Sequence, residues 1–166
     1  MSSSAGIIII GDEILSGRTK DTNINWIANE LNQMGINLKE ARVIEDDKKT
    51  IINTVLEFSK KFTYVFTSGG IGPTHDDITT ESIAAAFKVD LEKNKIAMNL
   101  LKKHYEKSNI DFNEARQKMA IIPKGASLIE NPVSVAPGFN IKNVYVFAGV
   151  PNIMQSMFHS ISDKLK

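Results

Sequence analysis

Four consecutive isoleucines, Ile7 to Ile10, leave this chain little choice of local structure. Branching at Cβ restricts the side-chain torsion and disfavours helix, and the lack of polar alternation means that both faces of the segment must be covered. Such a run reads as a strand within a parallel sheet that carries helices on both sides. The next segments agree. Ile24, Ile27, Leu31 and Met34 recur at helical intervals, which predicts an amphipathic helix opened by Thr22 or Asn23 and stopped at Gly35. Ile36, Leu38 and Val43 predict a second strand, Ile51, Ile52, Val55 and Leu56 a second helix, and Phe62 to Phe66 a third strand. Strand and helix alternating through short connections is the pattern of right-handed crossovers, so the expected class is α/β with a mostly parallel sheet.

Downstream, the spacing predicts a helix over Thr79 to Phe87 and a longer lysine-rich helix over Leu91 to Lys107. A short helix toward Met119 follows, opened by Asp111 and Glu114 at capping-box spacing. Ala120 to Ile122 and Ser127 to Ile129 are weak strand signals, Asn131 to Gly138 is a loop, Val144 to Phe147 is the last strand, and Pro151 opens a terminal helix. Ser2 to Ser4 reads as a loose tail. Because no linker or repeat interrupts the pattern, residues 1–166 are expected to form a single domain.

The absence of Cys excludes thiolate-bound zinc, iron–sulfur clusters, thiol nucleophiles and disulfides. With 20 Lys and Arg against 19 Asp and Glu, dispersed along the chain, there is no basic stripe, and nucleic acid is not an expected partner. The apolar run Ala5 to Ile10 is too short to cross a bilayer and has no basic leader, so neither a signal peptide nor a membrane anchor is expected, and the expected location is the cytoplasm.

Three carboxylate pairs follow the first three strands: Asp12-Glu13, Asp46-Asp47 and Asp76-Asp77. In a parallel sheet they share the carboxyl edge, where α/β proteins bind ligands. For Asp46 and Asp47 alone, capping of the next helix explains the residues equally well. Six carboxylates at one edge repel one another unless a cation compensates them. Gly69-Gly70-Ile71-Gly72 can turn backbone amides toward an anion, or can be a plain strand-to-helix turn, and it matches neither a Walker A loop nor a dinucleotide fingerprint. Acidic residues beside a phosphate loop make most sense if a divalent cation such as Mg2+ bridges the two. The loops Asn131 to Gly138 and Gly149 to Asn152 either line a ligand slot or serve as turns alone.

Taken in order, Gly11-Asp12-Glu13-Ile14-Leu15-Ser16-Gly17, Asp21-Thr22-Asn23, Ser68 through Thr79, Asn131-Pro132, Ala136-Pro137-Gly138-Phe139 and Gly149-Val150-Pro151 resemble the MoaB/Mog (molybdopterin-binding) domain family. Within it, the chain is most similar to the amino-terminal domain of competence/damage-inducible CinA proteins and of eukaryotic FAD synthases. The resemblance implies a three-layer α/β/α sandwich with a mostly parallel sheet and a pocket for a phosphorylated pterin or nucleotide. It places the family's acidic residues on Asp46 and Asp77 as the catalytic pair. Asp46, Asp76, Asp77 and Glu13 are then the candidate ligands of a divalent cation, Mg2+ or alternatively Co2+ or Mn2+. Substrate contacts are expected from Gly11, Glu13, Gly17 and Asn23, from Ser68, Gly69, Gly70, Gly72, Pro73 and Thr74, and from Asn131, Pro137, Gly138 and Gly149.

The activity this implies is metal-dependent hydrolysis of a nucleotide pyrophosphate of the ADP-ribose or FAD type. Alternatives are molybdopterin adenylyltransfer in molybdenum cofactor biosynthesis, and ligand binding without catalysis. A homodimer or homotrimer is the expected assembly. Ala148-Gly149-Val150-Pro151 stands where the family pattern usually has Pro-Gly-Pro-Pro, and His75 stands where many relatives have a different residue. The amidase domain of full-length CinA proteins has no counterpart in these residues, so amidase activity is not expected.

Overall fold

The computed structural model describes residues 3–165, which leaves Ser2 of the expected tail outside the described residues. Strand β1 (Ser4–Ile10) is followed by a single-turn helix α1 (Asp12–Leu15), helix α2 (Asn23–Gln33), strand β2 (Asn37–Ile44), helix α3 (Lys48–Lys61), strand β3 (Tyr64–Ser68) and helix α4 (Thr79–Ala86). An excursion then carries strand β4 (Leu91–Lys93), helix α5 (Lys95–Ser108), helix α6 (Glu114–Gln117) and strand β5 (Ile121–Pro123). The chain returns through β6 (Ser127–Ile129), β7 (Gly138–Ile141) and β8 (Val144–Phe147), and ends in helix α7 (Pro151–Ile161).

The main sheet has six strands in the order β2-β1-β3-β8-β7-β6, with β2, β1, β3 and β8 parallel and β7 antiparallel to both neighbours. The isoleucine run shows why helices must cover both faces. Ile7 and Ile9 enter one cluster with Ile27 and Leu31 of α2 and Met154, Met157, Phe158 and Ile161 of α7. Ile8 and Ile10 enter another with Ile51, Val55 and Phe58 of α3 and Ile83 of α4. Each isoleucine is at most 3% exposed, so at roughly 25 cal/mol per Å2 of apolar surface this strand is a major contributor to stability. The α/β/α layering expected from the sequence is present.

Several local expectations are corrected. Ser4 is no tail residue but pairs with Asn37 at the end of β1. Leu91 to Lys93 do not begin the lysine-rich helix; they form β4 and pair with Ile121 to Pro123, and the helix starts after Asn94, whose side chain accepts the Ala97 amide at 2.9 Å. Asn113, rather than Asp111, caps α6 through the Arg116 amide. The loop after β6 stops one residue early, because Gly138 opens β7, a strand the sequence reading missed. A Cβ on Gly138 would lie 2.3 Å from the Val146 carbonyl oxygen, so close strand approach explains that glycine.

Candidate functional site

The carboxyl ends of β1, β2, β3 and β8 lie at one edge of the sheet. After β3, Gly69 and Gly70 take the left-handed backbone conformation, with φ of +108° and +78°. The turn is locked from below: the Thr79 hydroxyl donates to the Gly69 carbonyl at 2.8 Å and the Thr79 amide to the Gly70 carbonyl at 3.0 Å. Among the described residues, the amides of Gly70, Ile71 and Gly72 donate to no protein acceptor, as an anion cradle requires. The Gly69 amide is different. It donates to the Phe147 carbonyl at 3.1 Å and so drops out of the expected phosphate-binding set.

The acidic pairs do converge, with one exception. Asp12, Glu13, Asp46, Asp76 and Asp77 line one cavity of about 390 Å3, together with Arg18, Gly70 and His75. Asp12 and Asp46 are tied reciprocally, each carboxylate accepting the other residue's backbone amide, at 3.0 and 3.1 Å. Asp77 accepts both the amide and the hydroxyl of Thr74, at 3.0 and 2.8 Å, which fixes its loop. Gly72 makes room for that carboxylate, because a Cβ there would sit 2.8 Å from Asp77 Oδ2. Asp47 leaves the group: it caps α3, accepting from the Thr50 amide and hydroxyl, and capping explains it fully. His75 and Asp76 stand at the rim, with side chains 94% and 83% exposed.

A second compartment of about 440 Å3 opens on the other side of the glycine turn. Glu13, Gly70 and Asp77 belong to both walls; Ile71, Asn131, Gly149, Val150 and Ile153 are among those that line the slot and not the acidic cavity. Gly149 lies against Gly69, and Asn23 joins the two turns, donating to Ser68 Oγ and to the Gly149 carbonyl, both at 3.0 Å. Asn23, Ser68 and Asn131 are buried and act as struts. Asn131 donates to Ser134 Oγ and the Ala136 carbonyl and accepts the Val133 and Ser134 amides. Pro137 borders an adjoining apolar chamber with Met119 and Phe139, and Gly138 sits in the sheet. Gly17 is an exposed turn residue with open space around it, Gly11 lies under the Glu13 carboxylate, and Pro73 and Thr74 are in the Asp77 loop. The amino terminus of α2 is served by Asp21, which accepts the Asn23 and Ile24 amides, and not by a side chain at Thr22.

Sequence reasoning missed two cations. Arg18 lines the acidic cavity, and Lys118, from the excursion, donates to the carbonyls of Thr74 and Asp77, the latter at 2.6 Å. The Gly17-Arg18 pair beside Asp12-Glu13 carried a signal for the first. Lys118 lies 41 residues from Asp77, and no local pattern could have revealed it.

The crowding of carboxylates leaves a mark on Asp46. Burial pushes its pKa above the ordinary 3.8; the Asp12 amide opposes this, and the charges of Asp12, Glu13 and Asp77 add to the rise. Because the folded-state value lies above the unfolded one, the associated stability is fully present below about pH 4 and is lost as pH rises through the elevated value. Asp46→Asn keeps an acceptor for the Asp12 amide and removes the charge. It should therefore raise Tm at pH 7 in metal-free buffer and leave it unchanged near pH 3. A variant melting below wild type at pH 7 would contradict this account.

Comparisons with known proteins agree with this architecture. The family model described as "Probable molybdopterin binding domain" matches residues 6–166. A curated protein from Sulfurisphaera tokodaii is 39% identical over 165 residues, which are 96% of this chain and 63% of that protein. A protein from Metallosphaera sedula is 35% identical over 162 residues, covering 95% of this chain and 61% of its own length. The chain thus spans somewhat under two thirds of these relatives. Among solved structures, that of the protein CinA, of unknown function, from Thermoplasma acidophilum superposes with a TM-score of 0.90 at 34% identity over 98% of both chains. The tungsten cofactor synthesizing protein MoaB from Pyrococcus furiosus, at 21% identity and TM-score 0.62 over 98% of this chain and 92% of its own, shares the fold. No helix among the described residues is long and apolar enough to cross a membrane. With a family model covering all but its first residues and a CinA structure matching end to end, this chain belongs to the molybdopterin-binding MoaB/Mog domain family, as a CinA-like member.

Proposed function

We propose that this domain hydrolyses the pyrophosphate bridge of a nucleotide such as ADP-ribose or FAD and releases AMP, using a divalent cation. One observation carries the reading: Asp77 stands in the wall shared by the acidic cavity and the glycine-lined slot. A dinucleotide pyrophosphate is anionic in the middle and bulky at both ends. The amides of Gly70, Ile71 and Gly72 suit one phosphate, and the slot beyond them, with Ile71, Val150, Pro151 and Ile153, offers apolar surface to the group attached to it.

The acidic cavity offers hard oxygen donors and an aspartate whose ionised form is disfavoured, which suits Mg2+. Among the described residues no three Asp, Glu or His side chains form a ready ligand set. That fits an ion held by one or two carboxylates, with phosphate and water completing its shell, as Mg2+ usually is. Asp46 and Asp77 would hold it, with Glu13 and Asp76 as the further candidates. When bound, such an ion shields the charge on the phosphate oxygens and acidifies a water. The Thr74 amide and hydroxyl keep the Asp77 carboxylate oriented to hold the ion.

The test is incubation with Mg2+ or Co2+ and a panel of ADP-ribose, FAD, NAD and ATP, scored by AMP release. The expected outcome is AMP from ADP-ribose or FAD, lost on chelation by EDTA. No AMP from any of them overturns the reading, and ATP-dependent adenylylation of molybdopterin would put the transferase in its place.

A further inference from the structure

We infer that Arg18 makes this site prefer a diphosphate to a single phosphate, by gripping the second phosphate on the acidic side of the glycine turn. The natural ligand rests on the hydrolase reading; the anion preference does not.

Arg18 sits among five carboxylates and pairs with none of them. Its Nε donates to Ser16 Oγ at 3.3 Å, which orients the head group, and among the described residues its terminal nitrogens have no protein acceptor. A guanidinium left in this state keeps its planar pair of donors for an oxyanion, which it meets bidentately. The backbone holds it at the junction. The Thr19 amide donates to the Glu13 carbonyl at 3.0 Å, and Thr19 faces the slot while Arg18 faces the acidic cavity.

The three open amides, clustered in one tight turn, suffice for one phosphate. A second phosphate attached to it falls within the acidic field, where carboxylates repel it, so it needs a positive partner from the protein besides any metal ion. The other nearby cations are engaged elsewhere. Lys118 Nζ is held by two carbonyls and borders a different chamber, and His75 points outward with Asp76. Arg18 is the one lining residue of the acidic cavity, among those described, with a permanent charge and unengaged donors.

The test is calorimetric titration of wild type, Arg18→Gln and Arg18→Lys with pyrophosphate and with orthophosphate, each in Mg2+. Arg18 is exposed, so neither variant should melt differently from wild type. Wild type should bind pyrophosphate more tightly than orthophosphate. Arg18→Gln should weaken pyrophosphate by about tenfold or more and leave orthophosphate unchanged, as expected for loss of a charge-assisted contact. Arg18→Lys should recover part of the loss, because it restores the charge without the fork. Equal weakening of both anions, or pyrophosphate binding undiminished in Arg18→Gln, overturns the inference. A wild type that prefers pyrophosphate through Arg18 yet releases no AMP from the panel sinks the hydrolase reading alone. One that binds neither anion overturns the inference and leaves the hydrolase reading to the AMP assay.

Discussion

Asp77→Asn should release AMP from ADP-ribose roughly 10^2- to 10^3-fold more slowly than wild type, while its Tm stays within a degree or two. The reason is that the two jobs of Asp77 separate cleanly. Its structural job is to accept the Thr74 amide and hydroxyl, both through Oδ2, and the amide oxygen of Asn can accept both. The proposed chemical job requires charge and a second carboxylate oxygen for the metal ion or substrate, which Asn lacks. Asp77→Ala is the contrasting variant, because it removes the loop anchor too and should lose stability along with rate. Purified Asp77→Asn turning over as fast as wild type would remove Asp77 from the mechanism. A rate loss matched by a comparable fall in Tm would make the effect structural.

The largest expected stability effect belongs to Gly69→Ala. A Cβ at this position would lie 2.2 Å from the carbonyl oxygen of Ile10, in a backbone conformation with φ of +108°. That oxygen belongs to the buried β1 strand and cannot move without shifting the sheet. Strain and overpacking together should cost about 3 kcal/mol or more, lowering Tm by roughly 10 °C for a domain of this size. Gly17→Ala separates the two causes. Its φ is also positive, at +81°, but no atom lies within 4 Å of the new Cβ, so it should cost only about 1 kcal/mol. Gly69→Ala melting no lower than Gly17→Ala would mean that the close approach to Ile10 carries no energetic weight.

What the sequence disclosed and what it hid follow from the range of the interactions. Ile7 to Ile10 announced a doubly covered strand because the information lies within four adjacent residues, and the acidic pairs pointed to the carboxyl edge because Asp12-Glu13 and Asp46-Asp47 stand just past their strands and Asp76-Asp77 in the loop after the third. β4 stayed hidden because Leu91-Glu92-Lys93 has the composition of the lysine-rich helix beside it, and only pairing with Ile121 to Pro123 makes it a strand. β7 was obscured by the prolines just before it and the glycine that opens it, although Phe139 and Ile141 alternate as a strand should and Lys142-Asn143 close a two-residue hairpin onto β8. Residue type and position alone did not separate Asp46 from Asp47; only the family resemblance favoured Asp46. Their fates diverge because Asp47 meets the Thr50 amide one helical turn ahead, whereas Asp46 meets an amide 34 residues back. Lys118 belongs to the same hidden class.

The grip of Lys118 on the carbonyls of Thr74 and Asp77 makes the orientation of the central aspartate depend on a structure that takes no part in the main sheet. The tether is one flexible side chain rather than a run of paired backbone. Substitutions in α5, whose buried Ala97 and Leu101 pack with Ala120 in a cluster of their own, can therefore reach that loop through Lys118 without entering the core of the main sheet. Divergence among descendants of this domain has in that hairpin-and-helix appendage a tuning knob remote from the chemistry itself.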